Sequence, residues 1–176
     1  MAGESLPYGL RDVKITPYTG STAGTPIDLP NARTFSFEES EEFTELRGDD
    51  KVVASRGQGA TVGWELESGG ISLEAYAAIN GGTVTVSGVT PNEVKTYGKK
   101  STDPKPRFGI EGQALSESGG DFHAVLTNCK ASDGVEGELS DGSFWLTSAS
   151  GTALGDADND DLIYEFVQNE TATPIP

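Results

Sequence analysis

The sequence has few of the residues that carry most enzyme chemistry. It contains one cysteine, Cys129, and one histidine, His123, among 176 residues. A single cysteine excludes an intrachain disulfide and a thiolate metal cluster. A lone histidine that alternates with Val125 on a predicted strand is more often a packed residue than a catalytic base. No Gly-x-Ser-x-Gly nucleophile motif is present, so we predict no enzyme activity, no catalytic residue, no cofactor and no metal site.

Long apolar runs and basic residues are also scarce. No run approaches the roughly 20 apolar residues that cross a bilayer, and the first residues lack the features of a signal peptide, so we expect a soluble protein. The chain has 12 basic and 28 acidic residues, a net charge of −16. Because Lys and Arg neutralise phosphates in nucleic-acid complexes, this excess of acidic residues argues against tight binding of DNA. It is compatible with solubility of the monomer, or with a surface past which DNA moves.

The composition is typical of a thin, turn-rich β protein. Hydrophobic residues make up 35% of the chain and glycine occurs 23 times. This combination favours short strands joined by turns over a large helical core. The length fits one domain, so we predict a single mainly β domain over residues 1–176.

The stretch from 32 to 67 predicts one long β-hairpin, with its arms over about 33–66. Phe35, Phe37 and Phe43 share one parity. The other parity carries hydroxyls and carboxylates: Thr34, Ser36, Glu38, Ser40, Glu42 and Thr44. Since successive strand residues point to opposite faces, one face should be aromatic and the other polar. The turn is predicted at Arg47, Gly48, Asp49, Asp50 and Lys51.

The distal part of this hairpin is unusually charged. Residues 38–50 include seven acidic residues and one basic residue. An isolated two-stranded ribbon is marginally stable in water. A hairpin this polar is therefore expected to lie against a neighbour, for example another copy of the chain.

The other elements follow from shorter patterns. A helix is predicted over about 72–80, with Ser72 as its N-cap and Gly81 at its end. Its apolar face is predicted to carry Leu73, Tyr76, Ala77 and Asn80, with Ile79 at the edge of that face. Further strands are predicted over 10–16, 83–87, 93–97, 107–116 with 121–129, 135–139 with 143–148, and 162–168. The last of these is apolar on both parities and is expected to be central. Residues 1–9 and 169–176 are expected to be arms.

Three motifs have an ordinary structural interpretation. Asp156, Asp158 and Asp160 fit a calcium loop, but Asp161 replaces the required glycine and Val167 the required glutamate, which favours an acidic turn and leaves incidental calcium binding open. Residues 47–49 match an integrin tripeptide inside the predicted turn. Residues 57–63 resemble a dinucleotide fingerprint but open no helix, so their glycines are expected to mark a bulge.

The order of elements and the stretch WELESGGISLEAYAAINGGTVTVSG resemble the major tail tube proteins of long-tailed, non-contractile bacteriophages, particularly those that infect actinobacteria. The resemblance in order covers nearly the whole chain. It implies a β-sandwich or β-barrel of the phage tail tube type with one flanking helix. It further implies homohexameric rings that stack into a hollow tube, with a long hairpin that reaches the adjacent ring.

Transferred to this chain, the resemblance implies a role for particular residues. Residues 38–56 become the hairpin between subunits, with Arg47, Gly48, Asp49, Asp50 and Lys51 at its tip. Glu38 and Glu42 become candidates for charge in the electronegative lumen. Residues 1–9 and 169–176 become terminal arms.

The resemblance also implies partners and a location. The partners are further copies of the chain and the tail-tip initiator, tape-measure and tail terminator proteins. Viral DNA passes through the lumen during ejection without specific binding, and no membrane is involved. The location is the virion tail, after assembly in the host bacterial cytoplasm.

Two other classes of function remain open at this stage. A β-sandwich binding module, such as a capsid decoration or a carbohydrate- or receptor-binding domain, would expose Trp64 or Trp145. Both tryptophans and Tyr164 could form a sugar platform, although core packing is the favoured interpretation. An acid-dyad hydrolase is the third class, because carboxylates are abundant.

Overall fold

The structure, a computed structural model, describes residues 4–70, 72–133 and 140–175. These residues form a mainly β protein with one short α-helix, which confirms the predicted fold class. The elements are β1 (Pro7–Thr19), β2 (Thr22–Ala23), β3 (Ile27–Asp28), β4 (Ala32–Gly48), β5 (Lys51–Ser68), α1 (Leu73–Asn80), β6 (Thr83–Ser87), β7 (Val94–Gly98), β8 (Phe108–Ser116), β9 (Asp121–Ala131), β10 (Thr147–Ala153), a 3-10 helix (Ala157–Asn159) and β11 (Tyr164–Asn169).

Nine strands form one antiparallel sheet that is not a closed barrel. Its main order is β2-β1-β8-β9-β10-β5-β4, with β3 on β1 and β11 on β9, while β6 and β7 pair separately. Strand β8 occupies one edge of β9, so β11 and β10 share the other edge. The neighbour of β9 along this edge changes from β11 to β10 near Asn128, whose φ is 47°. Strand β9 therefore joins the β1-β8-β11 part of the sheet to the β10-β5-β4 part.

The core lies between these two parts of the sheet. Side chains of alternate strand residues fill it: Val13 and Ile15, Val62, Trp64 and Leu66, Phe108 and Ile110, and Leu126. Trp64 is 3% exposed and packs edge-on against Phe108, with ring centroids 5.6 Å apart. Burial of each such side chain stabilises the fold by about 1.5–3 kcal/mol. The expectation that Trp64 is a core residue is confirmed.

The helix begins and ends as predicted, and its buried face agrees with the predicted one in part. The Ser72 hydroxyl accepts a hydrogen bond from the Ala75 amide at 3.2 Å, and Gly81 at φ 77° ends the helix. The buried residues are Ala75, Tyr76, Ala78, Ile79 and Asn80, whereas Leu73 and Ala77 are only half-buried. Tyr76 and Asn80 are buried as predicted, whereas Leu73 and Ala77 are not, and the burial is broader because the helix contacts β1 and β3 as well as the β6–β7 hairpin.

Two strand predictions are corrected. Strand β11 pairs with β9 alone among the described strands, so it lies at an edge and is not central. The strand is apolar on both faces because Phe166 packs against β4, where its ring centroid lies 5.7 Å from that of Phe37. The strand predicted over 143–148 starts only at Thr147 and continues to Ala153, and its predicted partner over 135–139 lies outside the described residues.

The predicted terminal arms are shorter than expected and lie against the body, because β1 already begins at Pro7 and β11 ends at Asn169. The Leu6 amide donates to Ser116 Oγ at 3.0 Å, and Leu6 O accepts from the Glu117 amide at the same distance. At the other end, Ile175 is 4% exposed and its carbonyl accepts from Lys14 Nζ at 2.7 Å. Residues 4–6 and 169–175 therefore pack on their own subunit.

Candidate assembly surface

The β4–β5 hairpin extends far beyond the core. Its strands have 17 and 18 residues and pair from Ala32 with Ser68 to Gly48 with Lys51, which confirms the predicted hairpin. At about 3.3 Å per residue each arm is roughly 55 Å long. Every residue from 36 to 56 is exposed. More than half of the hairpin is therefore a ribbon with both faces in solvent.

The predicted residues 47–51 do form the turn. Asp49 and Asp50 have φ values of 50° and 60° between the paired residues Gly48 and Lys51. Positive φ at both central residues defines a type I′ turn, whose twist matches that of the flanking strands. Arg47 Nη2 lies 3.0 Å from Glu45 Oε2, in an exposed ion pair.

Carboxylates lie on both faces of the ribbon, which corrects the expectation of one aromatic and one polar face. The parity of Phe35, Phe37 and Phe43 also carries Glu39, Glu41 and Glu45. Glu39 Oε2 accepts a hydrogen bond from the Tyr164 hydroxyl at 2.8 Å, and this bond raises the pKa of Tyr164. Acidity is therefore a property of the whole ribbon.

The two lumen candidates occupy different local settings. Glu38 pairs across the ladder with Gly63, whereas Glu42 lies where the register shifts, between Glu41 paired with Ala60 and Phe43 paired with Gly57. Both glutamates are exposed on the single subunit. Whether they face a bore depends on the assembly and stays a prediction.

The distal ribbon also exposes four large apolar side chains, of which the sequence patterns singled out only Phe43. They are Phe43, Leu46, Val52 and Val53, with exposed fractions of 51–66%. The only sequence signal of the other three is that they lie among charged residues near a turn. Phe43 and Leu46 lie on opposite faces of β4, so both faces of the ribbon offer apolar contact area to a partner.

Aromatic rings anchor the base of the hairpin. Phe35, Phe37, Phe166, Phe122 and Tyr164 form a chain of ring contacts with centroids 5.2–5.7 Å apart. This cluster connects β4 to β9 and β11. It fixes the root of the ribbon on the body, so the distal part has a defined direction.

The single histidine belongs to a buried polar cluster, as its packed interpretation predicts. His123 Nδ1 lies 2.7 Å from Glu111 Oε1 and Nε2 lies 3.0 Å from Asp121 Oδ2. Burial alone would lower the pKa of His123. The hydrogen bonds to the two carboxylates raise it by more, so the pKa of His123 lies above its ordinary value. Burial likewise raises the pKa of the Cys129 thiol well above its usual range.

Asp121 connects this cluster to the C-terminal segment. Its carboxylate is fully buried and accepts hydrogen bonds from Gln113, His123, Asn169 and the Thr173 amide. Burial alone would raise the pKa of Asp121, but these four donors lower it well below its usual range. The arrangement is a structural clamp with every carboxylate oxygen in use.

The remaining sequence motifs have structural roles in the described residues. Asp156 caps the 3-10 helix by accepting from the Asp158 amide at 3.3 Å. Within 4–70, 72–133 and 140–175, no three histidine, cysteine or acidic side chains are grouped closely enough to hold a metal ion. The described helices include none with the length and apolar character needed to span a membrane. Trp64 is too buried to serve in a ligand platform.

Comparisons with known proteins do not assign this chain to a family. A scan against models of protein families found no match. A search of curated protein sequences likewise found no significant relative.

Proposed function

We propose that the protein is a structural virion subunit that forms the tail tube of a long-tailed bacteriophage. In this proposal its copies form hexameric rings, the rings stack, and the resulting hollow tube conducts DNA during ejection. The observation that carries the proposal is the ribbon of residues 36–56, which is exposed on both faces. Such a ribbon gains its stabilising contacts from a neighbouring copy.

The energetics of the ribbon support self-association. Each of the four exposed apolar side chains near the tip would contribute on the order of 1–2 kcal/mol if a neighbour buried it. The open sheet also leaves the outer edges of β4 and β11 without a ladder partner among the described strands. The unpaired N–H and C=O groups of such edges can form hydrogen bonds with a strand of another chain. Assembly would satisfy both features together.

The charge of the protein supports the conduit. A net charge of −16 and carboxylates on both faces of the ribbon give any bore lined by it a negative potential. Phosphates would then be repelled from the wall, so DNA could move without being held. Glu38 and Glu42 remain our proposed lumen residues. A tail-tip initiator, a tape-measure protein and a tail terminator complete the proposed set of partners.

Shortening the hairpin tests the proposal directly. Ser40 pairs with Thr61 in the ladder. Replacement of residues 41–60 by Asn-Gly would therefore connect these two residues through a two-residue hairpin turn. We expect the shortened protein to fold with an unchanged core and to form no rings or tubes in negative-stain images. The wild type should form them, alone or with its tail-tip complex. A wild type that stays monomeric under both conditions would contradict the proposal.

A second variant tests the lumen residues. Glu38→Lys combined with Glu42→Lys is expected to permit tube assembly but to slow DNA delivery, because the bore would then attract phosphates. Glu165→Lys with Glu170→Lys makes the same charge change at exposed positions outside the hairpin. Equal DNA delivery by the two double variants would contradict the placement of Glu38 and Glu42 in the bore.

A further inference from the structure

We propose that a β-bulge at Gln58 and Gly59 is a hinge in the long hairpin. On one side of the hinge the hairpin is fixed to the body. On the other side residues 43–57, which we call the distal arm, pivot as an ordered ribbon about the direction that the aromatic anchor gives the hairpin. The inference concerns the free subunit, so it goes beyond the proposed tube and does not depend on it.

The register of the β4–β5 ladder shifts at this bulge. The flanking ladder pairs are Glu41 with Ala60 and Phe43 with Gly57. Between these pairs β4 contributes one residue, Glu42, whereas β5 contributes two, Gln58 and Gly59. A bulge of this kind leaves its extra residue without a ladder partner and bends the strand. The bulge expected from the glycines of residues 57–63 is therefore confirmed.

Gly59 gives the bulge a backbone that can rotate. Its φ is 100°, in the region that glycine enters readily and residues with a side chain rarely adopt. A Cβ at this position would meet no atom of the described residues within 4 Å, so no packing restrains the backbone here. Hinges in proteins are a few such residues, whose φ and ψ absorb the rotation of the segments on either side.

The hairpin is fixed to the body on the near side of the bulge. The Phe37 ring lies 5.7 Å from that of Phe166, and Glu39 Oε2 accepts the Tyr164 hydroxyl at 2.8 Å. Both contacts precede the bulge along β4. The next side-chain contact, between the hydroxyls of Ser40 and Thr61 at 3.2 Å, already lies within the hairpin itself. The anchored part of the hairpin therefore ends just before the register shift.

The distal arm keeps a ladder of its own beyond the bulge. Its pairs include Thr44 with Arg56 and Leu46 with Ala54, and residues 43–56 are exposed. An intact ladder that contacts only itself moves as one body when the hinge rotates. At about 3.3 Å per residue, Lys51 lies roughly 26 Å from Gly59, so a rotation of about 20° moves it by about 9 Å. A partner can therefore orient the arm without any change in the core.

Distances between two spin labels on the full-length free subunit test the hinge. Lys130→Cys carries a label on the body, Lys51→Cys a label at the turn, and Arg33→Cys a label on the anchored part of β4; all three positions are exposed. The native Cys129 is fully buried and does not compete for the label. The distance distribution between positions 130 and 51 should be broader than that between 130 and 33 by on the order of twofold.

Cross-strand NMR contacts distinguish a pivoting arm from an unfolded one. Contacts between Thr44 and Arg56, which pair in the ladder, should persist in the free subunit because the arm moves with its ladder intact. Equal widths for the two label pairs would overturn the proposal. A broad distribution together with loss of the Thr44–Arg56 contacts would overturn it as well.

Deletion of Gly59 tests whether the motion arises at the bulge. The ladder then becomes continuous, because one residue of each strand remains between the flanking pairs. The distribution between positions 130 and 51 should narrow to about the width of the control pair. Gly63→Ala on the same strand is the matched control and should leave the width unchanged, since its Cβ would lie 3.9 Å from the nearest atom. A distribution that stays equally broad after the deletion would refute a hinge at Gln58 and Gly59.

Discussion

Replacement of Asp121 is expected to release the C-terminal segment from the sheet. The buried carboxylate accepts from Gln113 at 2.5 Å, His123 at 3.0 Å, and both Asn169 and the Thr173 amide at 2.8 Å. Asp121→Ala removes the acceptor for all four donors and leaves the His123 imidazole without one of its two carboxylate partners. Asp121→Asn keeps the volume and one acceptor oxygen but loses the charge.

The magnitude follows from the number and type of these bonds. A hydrogen bond to a charged group contributes about 1.5–3 kcal/mol net, and removal of one partner from a buried ionic pair costs about 3–5 kcal/mol. We therefore expect Asp121→Ala to lower the free energy of unfolding by about 3–5 kcal/mol, a large share of the roughly 5–15 kcal/mol of a typical domain. Asp121→Asn should cost about 1–2 kcal/mol.

Urea unfolding and amide exchange measure the two consequences separately. Unfolding curves give the loss of stability, and exchange at the Thr173 amide reports release of the segment, since that amide donates to Asp121. Asp141→Ala is the control because Asp141 is exposed, and it should change stability by less than about 0.5 kcal/mol. A loss below about 1 kcal/mol for Asp121→Ala, or unchanged protection of Thr173, would refute the clamp.

Three further outcomes are expected. The raised pKa of His123 means that its stabilising contribution is complete below the unfolded pKa of about 6.5 and is lost as the pH rises through the folded value; the free energy of unfolding should therefore fall as the pH rises above the unfolded pKa, and His123→Gln should flatten this dependence in urea titrations. Asp50→Gly suits the positive φ of the turn and should slow proteolysis within 38–56, whereas Asp50→Val should accelerate it. Gly151→Ala would place a Cβ 2.6 Å from the Trp64 ring and should cost about 1–3 kcal/mol in thermal unfolding, while Gly63→Ala on the neighbouring strand has room.

Local patterns account for the elements that could be predicted. The long hairpin, the helix caps at Ser72 and Gly81, and the β8–β9 hairpin each depend on residues close in sequence. Strand β10 was misplaced because TSASGTA has little strand signal. Its position is set by distant residues, since Gly151 lies against Trp64 and the Lys130 carbonyl, where a side chain would not fit.

The candidate surface was predicted in position but not in detail. Alternation on β4 indicates which residues share a face, and Glu39, Glu41 and Glu45 make the aromatic parity as acidic as the other one. Alternation alone does not predict the exposure of Phe43, which no described part of the body covers. Coverage is decided by the tertiary arrangement, which alternation within one strand does not encode.

Strand β9 has a consequence for how the protein loses its structure. Because β10 and β11 share one edge of it and β8 holds the other, neither part of the sheet can separate while β9 remains in place. The body is then expected to melt as one cooperative unit, with calorimetric and van't Hoff enthalpies in agreement. The distal ribbon, which contributes nothing to that unit, would open and close independently on the free subunit. Incorporation into a tube would couple the two, so the heat-capacity peak would move to higher temperature as copies assemble.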